Sequence, residues 1–547
     1  MTQKIFEEKA VIYRASLHRF PLPLAYSSVL VLTVFLWGCG GGNDNSDAPP
    51  APTFAVAKAS CGPNDKPEAD LQGQVSAATR AAGFKGYSCN LQLIGQYKGE
   101  GASWQHAWFQ DKAGHLCNYY DTAASTVGRT QLGTVVIDAS DPTNPKPTAY
   151  LTSVGMIDPW ETLKVNTNRQ LLGGAQAANG SGGPALDLYD ISGDCRNPQL
   201  LSSVAVGTVA NGDADALPVG YNLVGHEGNF APDGLTWYNG DRGTIKKYTA
   251  IDITNTTHPK LLTTWDLPLI PTTVLTTHGL ALSEDGNRAY VSRAGVLGAN
   301  VDLLTTPEAD GMIILDTSDI QKRLPNAKMK QVGIVTWRDS GQAQHTIPIV
   351  VGGKKYVVAV SELGTGGGSE LGWKTACNVG LPPFHAARIV DISDETKPVV
   401  VSKLWLEAYD PKNCAKVLPD LVGLGTFTYG SHYCSVDNKR NATTLACGYF
   451  NSGIRVFDIR DVTRPKEIAY FNPPGTTTGS PGSNHFVRAA NGGWVAGGPD
   501  WCNAQIRLDA ATASLQTTCQ DNGFLSLKFT NGVWPFPETT TPPGLQN

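Results

Sequence analysis

The chain has 547 residues, 43 of them basic and 48 acidic, for a formal net charge of −5. Nucleic-acid-binding proteins need a basic patch, and this balance of charges indicates none. Charged residues make up only 17% of the sequence, while 59 Gly and 35 Pro residues are typical of many short strands joined by turns.

The N-terminus has the pattern of a targeting segment. Arg14 and Arg19 precede an apolar run, residues 24–37, that is short for a membrane span. The run ends in Leu36-Trp-Gly-Cys39, which resembles the lipobox of bacterial lipoproteins, where the chain is cleaved before a lipidated Cys. We therefore predict a signal peptide at 1–38. An uncleaved membrane anchor is the alternative.

The segment 39–60 is rich in Gly, Pro and small polar residues, and we predict that it is a flexible tether. By the lipoprotein resemblance, Cys39 carries lipid that holds the protein at the membrane of the cell envelope. Gly40 does not supply a retention signal of the Asp type, which favours the outer membrane. After this tether we expect an extension containing a disulfide at 61–89.

The cysteine count agrees with export. Eleven Cys residues are present, and ten remain without Cys39, so up to five disulfides are expected. No Cys-x-x-Cys occurs, which argues against thiolate metal sites and redox-active dithiols. Three local pairs are favoured, Cys61–Cys89, Cys434–Cys447 and Cys502–Cys519. Cys377–Cys414 is a further candidate, and Cys117–Cys195 would have to cross between repeats.

A strand ending in Asp recurs six times and is followed by a polar turn, as in Val135-Val-Ile-Asp138 and Ile389-Val-Asp391. The spacings between these Asp residues run from 52 to 75, a long period that predicts a propeller or a similar array. We interpret the Asp side chains as turn formers at strand ends. The six are Asp138, Asp190, Asp252, Asp316, Asp391 and Asp458.

One unit shows how a repeat is built. Strands are predicted at 277–283, 288–292, 311–316 and 330–336, with a hairpin at Glu284-Asp-Gly-Asn. Four antiparallel strands form a propeller blade. Counting such units gives an all-β, seven-bladed β-propeller at 90–530, with a disordered tail at 531–547. The last blade lacks a fourth strand, and we predict that 91–97 supplies it beside 524–529.

The repeats resemble those of LVIVD-repeat β-propeller proteins of bacterial and archaeal surfaces. The resemblance is clearest at Asp391-Ile-Ser-Asp394-Glu-Thr-Lys-Pro398 and covers roughly the whole propeller, although the copy at Asp316 lacks the nearby Pro. It implies the fold and a surface location, but no settled biochemical activity.

Histidine falls repeatedly at the start of the first, innermost strand of a blade, where side chains point toward one mouth of the central channel. Blade two carries Trp160-Glu161 in that region instead, and His385 lies in a loop on the same face. Imidazole is a common ligand of Cu, Fe and Zn, so we predict a metal site. The candidate ligands are His106, His226, His278, His345, His385, His432 and His485.

Two other interpretations of these histidines stay open. Duplication of an ancestral blade would copy a histidine that only bonds backbone or water, and a bare anion or ligand site would also use imidazole. Carotenoid-cleaving oxygenases and nitrous oxide reductase hold axial metals in seven-bladed propellers, but this is likeness of fold only. Glu227, next to His226 on a strand, is expected to point away as a rim charge, and a carboxylate that supports a ligand or transfers protons is the alternative.

Long insertions at 207–222, 293–310, 362–385 and 405–430 are expected to wall a pocket over the histidine-bearing face. Aromatic residues there, such as Trp373 and Phe384, would contact a small apolar ligand or pack among themselves. The functional hypothesis is a metal-binding protein, an oxidoreductase on a small substrate. The alternative is a non-catalytic binding or scaffold propeller that presents its loops to a partner protein.

Overall fold

A computed structural model describes most of the chain between residues 54 and 537. The ranges are 54–121, 129–175, 186–204, 225–241, 247–268, 274–298, 300–421, 424, 426–481, 483 and 497–537. Outside them lie the predicted signal peptide, Cys39, most of the tether, insertion 207–222, His485 and residues 538–547. The corresponding expectations stay predictions.

The strands follow the runs of β-branched and aromatic residues, and Gly, Pro, Asn and Asp bound them. In the described ranges their bounds are β1 Tyr87–Cys89, β2 Leu91–Tyr97, β3 His106–Gln110, β4 Leu116–Asp121, β5 Thr134–Asp138, β6 Lys146–Leu151, β7 Lys164–Asn166, β8 Leu171–Ala175, β9 Leu186–Asp190, β10 Gln199–Val204, β11 Gly225–Phe230, β12 Thr236–Asp241, β13 Lys247–Asp252, β14 Lys260–Asp266, β15 Val274–Leu282, β16 Arg288–Val296, β17 Asp310–Asp316, β18 Lys330–Trp337, β19 Gly341–Val351, β20 Lys354–Leu363, β21 Ala387–Asp391, β22 Val399–Lys403, β23 Ser431–Val436, β24 Thr444–Tyr449, β25 Ile454–Asp458, β26 Lys466–Asn472, β27 Arg507–Asp509, β28 Ser514–Cys519 and β29 Gly523–Phe529.

Helices are short and lie between strands. Their bounds are α1 Ala77–Ala81, α2 Val154–Ile157, α3 Ser318–Gln321, α4 Glu370–Asn378 and α5 Cys414–Val417, with 3₁₀ turns at Glu407–Tyr409, Pro411–Asn413 and Leu418–Leu421. Within the described ranges, none of these helices has the length and apolar character that crossing a bilayer requires.

Seven antiparallel sheets form the ring, and the predicted seven-bladed propeller is confirmed. Blades one to five are β3–β6, β7–β10, β11–β14, β15–β18 and β19–β22. Blade six is β23–β26 with β1 added as a fifth, outer strand, and blade seven is β27–β29 with β2. First strands of neighbouring blades contact each other, as β11 does β15 and β15 does β19, so they line the axis.

The repeated Asp residues end the third strands of blades one to six. In each case one carboxylate oxygen accepts a hydrogen bond from the backbone N–H two residues later, at 2.8–3.0 Å. This geometry is an Asx turn, which starts the turn toward the outer strand. Their interpretation as turn formers is confirmed.

Blade seven is closed by the two ends of the propeller, as predicted. Strand β2 pairs antiparallel with β29, with Leu91 opposite Phe529 and Tyr97 opposite Phe524. Among the described residues, the innermost strand of this blade is β27, which begins at Arg507. His485, near which the blade was predicted to open, lies outside the described residues, and that expectation stays a prediction. Residue Trp534, assigned to the tail, is buried against Phe529 with ring centroids 4.7 Å apart.

All five disulfides form with the predicted pairing. Cys434–Cys447 joins directly opposed residues of β23 and β24, and Cys377–Cys414 ties α4 to α5 across two insertions. Cys117–Cys195 links β4 of blade one to the turn after β9 of blade two, and is the bond that had to cross between blades. Cys61–Cys89 and Cys502–Cys519 complete the set.

The N-terminal extension is fastened to blade six by a buried charge network. The Arg455 guanidinium contacts the carboxylates of Glu68 from the extension and Glu467 from β26, and it is fully buried. Strand β1 adds main-chain pairing with β26, with Tyr87 opposite Asn472. The extension therefore holds β2 in place for ring closure.

Gly95 in β2 tests this closure. An added Cβ would lie 2.1 Å from the backbone oxygen of Pro142 in blade one, a contact that only backbone movement relieves. We expect Gly95→Ala to lower the free energy of unfolding by about 1–3 kcal/mol, measured by guanidinium denaturation. The matched control is Gly193→Ala, where a Cβ meets nothing within 4 Å. Equal stability of the two variants would contradict the closure interface.

Candidate functional site

Carboxylates and imidazoles gather on the axis at the ends where the first strands begin. Glu161 immediately precedes β7, His226 and Glu227 begin β11, and Glu362 lies near the end of β20. All three glutamates are 1–2% exposed. The group is completed by two fully buried residues, His278 of β15 and His432 of β23.

Irregular pairing in the first strands turns these side chains inward. The register between first and second strand shifts at Gly225/Glu227 in β11 and at Ser431/Cys434 in β23, and comparable shifts occur in β15 and β19. At such a bulge two residues oppose one, so consecutive side chains no longer alternate strictly between the two faces. His226 and Glu227 can therefore both reach the axis, and the expectation that Glu227 is a rim charge is wrong.

Glu161 is the meeting point of three rings from three blades. Its carboxylate lies 3.4 Å from His226 Nε2, 3.7 Å from His278 Nε2 and 2.9 Å from His432 Nε2. The rings of His226 and His278 also meet edge to face, with centroids 4.5 Å apart. These three of the seven candidate histidines are brought together by the structure.

Glu362 contacts the same site from blade five. One carboxylate oxygen lies 3.2 Å from His278 Nε2, and the other lies 3.2 Å from His432 Nε2. The side-chain amide of Gln342 donates a hydrogen bond to the first of these oxygens. His278 and His432 are therefore each shared between Glu161 and Glu362.

Glu227 forms the lower part of the group, together with Lys164 of β7. Its carboxylate lies 3.5 Å from His278 Nδ1 and 3.7 Å from Lys164 Nζ, and the Gln344 amide donates to it at 3.4 Å. Gly279 makes this approach possible, since a Cβ there would lie 2.1 Å from a carboxylate oxygen of Glu227.

The donors and acceptors around His432 show that a positive charge is needed between its ring and the neighbouring carboxylates. His432 Nδ1 lies 3.0 Å from the backbone oxygen of Asn503, which only accepts, so Nδ1 carries a proton. In the neutral ring Nε2 would then aim a lone pair at the carboxylates of Glu161 and Glu362. That arrangement is unfavourable unless a proton or a metal cation lies between them.

The pKa values of His278, His432 and Glu362 reflect the same requirement for positive charge. Burial alone would lower the pKa of His278, but the carboxylates of Glu362, Glu227 and Glu161 outweigh it and raise the pKa to about 10. Burial opposes Glu161 and Glu362 in the same way at His432, whose pKa rises to about 9. Burial raises the pKa of Glu362, yet His278 and His432 hold it well below its usual value.

The Glu227–Lys164 contact behaves differently. Burial raises the pKa of Glu227 despite Lys164 and His278, and burial lowers the pKa of Lys164 despite Glu227 and Glu161. Both shifts favour the neutral forms, and transfer of one proton between the two groups leaves the total charge unchanged. With His278 and His432 protonated, three glutamates thus face three cationic groups.

An aromatic roof covers the group on the side where the first strands begin. The His432 ring lies 5.3 Å from Trp104 and 5.1 Å from Phe450, and Trp160 lies 6.0 Å from His226. Such apolar cover reduces the access of water and strengthens the electrostatic interactions beneath it. The members are Trp104, Trp160, Leu363, Phe427, Phe450 and Trp501.

His106 and His385 do not join the group. His106 Nδ1 lies 2.9 Å from the Gln505 backbone oxygen and Nε2 lies 2.9 Å from the Asn118 amide oxygen, and burial lowers its pKa to about 4. His385 Nε2 donates to the Ser431 backbone oxygen at 2.7 Å, and burial lowers its pKa to about 3. The lowered pKa values favour the neutral form of both rings, which serve as packing and hydrogen-bonding elements.

His345 also has protein partners at both nitrogens. Nδ1 contacts the Gln344 side-chain oxygen, and Nε2 accepts from the Cys434 backbone N–H at 3.3 Å. Burial, with Lys164 second, holds its pKa well below the usual value. His345 therefore shares a blade position with His278 and His432 but contacts no carboxylate of the group.

Of the described aromatic residues in the insertions, only Phe427 belongs to the roof over the site. Trp373, Phe384, Tyr409 and Tyr429 belong to one buried cluster, and Phe384 lies 5.7 Å from Tyr409 and 5.5 Å from Tyr429. Trp405 stacks on Phe54, which lies in the segment 39–60 predicted as a tether. Within the described ranges these side chains pack the loops, so the expected aromatic pocket wall is not formed by them.

Glu362 and Lys164 were missed by the sequence analysis. Glu362 stands at the end of a second strand, where other blades carry unrelated residues such as Asp121 and Phe450, so no repeat marks it. The useful signal was Glu161, a carboxylate at the place where other blades carry histidine. Such a substitution within a repeat indicates a position selected for charge.

Comparison with known proteins gives little beyond the fold. No protein-family model and no curated protein matches the sequence. Among solved structures, two proteins provisionally named 6-phosphogluconolactonases are similar. That from Bacteroides uniformis is 12% identical, covers 77% of this chain and 93% of its own, and has a TM-score of 0.46. That from Bacteroides fragilis is 11% identical, with 75% and 93% covered and a TM-score of 0.42.

A protein from Lactobacillus plantarum is 10% identical, with 74% of this chain and 88% of its own covered and a TM-score of 0.42. Likeness at this level carries no functional argument. The seven-bladed architecture stands on the strand pairing of this chain, and the resemblance to LVIVD-repeat proteins stands on the motif alone.

Proposed function

We propose that the protein is an exported, lipid-anchored propeller that binds one divalent transition metal on its axis. His226, His278, His432 and Glu161 would hold the metal, with Glu362 as a further carboxylate donor. The observation that carries the proposal is the approach of three imidazole nitrogens to within 3.7 Å of one buried carboxylate.

The donors fit a metal in spacing and in kind. Ligand atoms of Glu161, His226 and His278 lie within 4.8 Å of one another, as do those of Glu161, Glu362 and His432. Donors 2.0–2.2 Å from a tetrahedral ion are closer together than this, so modest closure would complete the site. Imidazole with carboxylate favours Zn²⁺ or Fe²⁺ over Cu²⁺, which prefers tetragonal surroundings.

Buried polar atoms without hydrogen-bond partners also support a metal site. Glu161 Oε2 and His432 Nε2 have no partner with hydrogen-bond geometry among the described residues, although they lie close to each other's side chains. Buried polar atoms are rarely left so, and a bound ion is one of the usual reasons. The roof and the bulged strands hold these atoms toward a common centre.

The residues around the donors orient them. His278 and His432 would present Nε2 to the metal, while His278 Nδ1–H points to Glu227 and His432 Nδ1–H to the Asn503 carbonyl. Such outer contacts fix the ring tautomer and raise ligand basicity. Glu227 beside Lys164 can accept a proton from His278 or return it. When bound, iron or copper would supply redox chemistry and zinc would polarise a substrate oxygen.

A second candidate is a metal-free binding or scaffold propeller. It is favoured by one observation: Lys164, His278 and His432 already supply as many cationic groups as there are carboxylates at Glu161, Glu227 and Glu362. An axis neutralised in this way could serve only to hold the blades together, while the loops bind a partner. Metal analysis separates the two functions.

For location, we propose attachment to the outer membrane through lipid on Cys39. The lipobox-like Leu36-Trp-Gly-Cys39 and the Gly/Pro-rich segment after it support this, and five disulfides are typical of an oxidising compartment. The resemblance to LVIVD-repeat surface proteins agrees with it.

Metal content should depend on particular histidines of the repeat. Untagged protein from the periplasmic or membrane fraction should contain about one Zn or Fe per chain by mass spectrometry of metals. We expect His432→Gln to lose at least about 90% of it, because metal affinity falls steeply when a ligand is lost.

The control is His106→Gln, which changes the same blade position but a ring outside the group, and it should keep its metal. Circular dichroism confirms that both variants are folded. Metal-free wild-type protein, or equal loss in both variants, would support the scaffold function instead.

Metal binding should release protons. His278 and His432 have pKa values raised to about 10 and about 9, so both are protonated at pH 7 before metal binds. A divalent cation would displace both protons. We expect about two protons released, and affinity rising about 100-fold per pH unit between pH 6 and 8. Zinc titration calorimetry in buffers of different ionisation enthalpy measures this. Affinity that is flat across this range would exclude these ligands.

The anchoring proposal predicts a mature chain that starts at a lipidated Cys39. Mass spectrometry of the N-terminal peptide should show this modification and no residues 1–38. Cys39→Ser removes the lipidation site and the signal for cleavage, so it should give an unlipidated chain that retains residues 1–38, with its five disulfides intact. An unmodified Cys39 thiol behind an intact leader would contradict the proposal.

A further inference from the structure

A second cavity lies at the opposite end of the first strands. It has a volume of about 560 Å³, and its wall comes from the hairpins that join first to second strands in blades two to six. Asn166, Phe230, Leu282, Ile349 and Lys439 represent these five blades. The axial carboxylates stand where the same strands begin, so the two sites occupy different ends of the channel.

The wall is mainly apolar, and its polar groups are mostly committed to turns. Asn166 and Asn168 donate their side-chain amides to the Pro232 carbonyl. Asp285 accepts from Ser283 and from the Asn287 backbone, and Arg440 pairs with Glu284 through an Nε–Oε1 contact of 2.7 Å. These contacts stabilise the hairpins. They also satisfy polar groups that an apolar ligand would otherwise have to desolvate.

Basic groups outnumber acidic groups in the lining of the cavity, with Lys355, Lys439 and Arg440 against Glu284 and Asp285. Lys355 is exposed and Arg440 pairs with Glu284, whereas Lys439 is partly buried in the wall. Burial lowers the pKa of Lys439 to about 8, with Lys164 adding to the effect and Glu284 opposing it, so most molecules keep this charge at neutral pH. An anion beside Lys439 would gain from its positive charge, whereas an amine would be repelled by it.

We infer that this cavity binds a small carboxylate with an apolar body. The carboxylate would contact Lys439, and the apolar body would lie against side chains such as Phe230, Tyr290 and Ile349. The volume is in the range of ligand pockets, which are mostly apolar with a few placed polar groups. The inference does not depend on a metal at the axis.

Phenylbutyrate, phenylbutanol and phenylbutylamine share one apolar body and differ in charge. Calorimetry on chelator-treated full-length protein should show saturable binding of one phenylbutyrate. The alcohol and the amine should bind at least about 10-fold more weakly, as expected for loss of a charge-assisted contact.

Lys439→Met should reduce phenylbutyrate affinity to that of the alcohol, and Lys439→Arg should largely keep it. The control Lys354→Met removes an exposed lysine near the same hairpin that does not line the cavity, and it should change nothing. No binding of phenylbutyrate, equal binding of the alcohol, or unchanged affinity in folded Lys439→Met would each overturn the inference.

Discussion

Charge balance on the axis is the constraint on which the centre of this propeller depends. Three glutamates are buried where water has little access, and an uncompensated buried carboxylate is too costly to persist ionised. Lys164, His278 and His432 compensate for Glu161, Glu227 and Glu362 in the protein alone. A divalent cation that replaced the two histidine protons would keep the same total charge. The site is therefore suited to exchange protons for metal without rearranging the blades.

The ring can contain this polar axis because contacts away from the axis stabilise the fold. Each blade satisfies its own backbone hydrogen bonds, and β2 closes the ring without leaving an open edge between the first and last repeats. Cys117–Cys195 joins two blades, and the Glu68–Arg455–Glu467 network fastens the N-terminal extension. A frame held in this way can tolerate bulged strands and close charges at its centre.

Features written into every repeat could be predicted from the sequence. The Asp turns, the split seventh blade and the disulfides follow from local patterns and from the period. The position of His226, His278 and His432 within their blades was also predicted, but the sequence did not show which histidines would contact the buried carboxylates. His106 and His345 share that position, yet their hydrogen-bond partners differ. His106 contacts Asn118 of its own blade and Gln505 near β27, and His345 contacts Gln344 of its own strand and Cys434 of blade six.

Strand irregularity explains the remaining differences. Strict alternation would send Glu227 away from His226, but the register shift in β11 allows both to face the axis. Glu362 lies at the start of an insertion, where no repeat predicts a side chain.

The same irregularity divides the bulged inner strands β11 and β19 into two parts with different chemistry. In β11, His226 and Glu227 stand at the bulge, and regular pairing beyond it places Asn229 and Phe230 at the cavity. In β19, His345 stands at the bulge, and Ile349 and Val350 line the cavity. Irregular backbone thus holds polar groups at one end of the channel, and regular pleating presents apolar side chains at the other. Lys164 and Val165, adjacent in β7, connect the two, since one contacts Glu227 and the other lines the cavity.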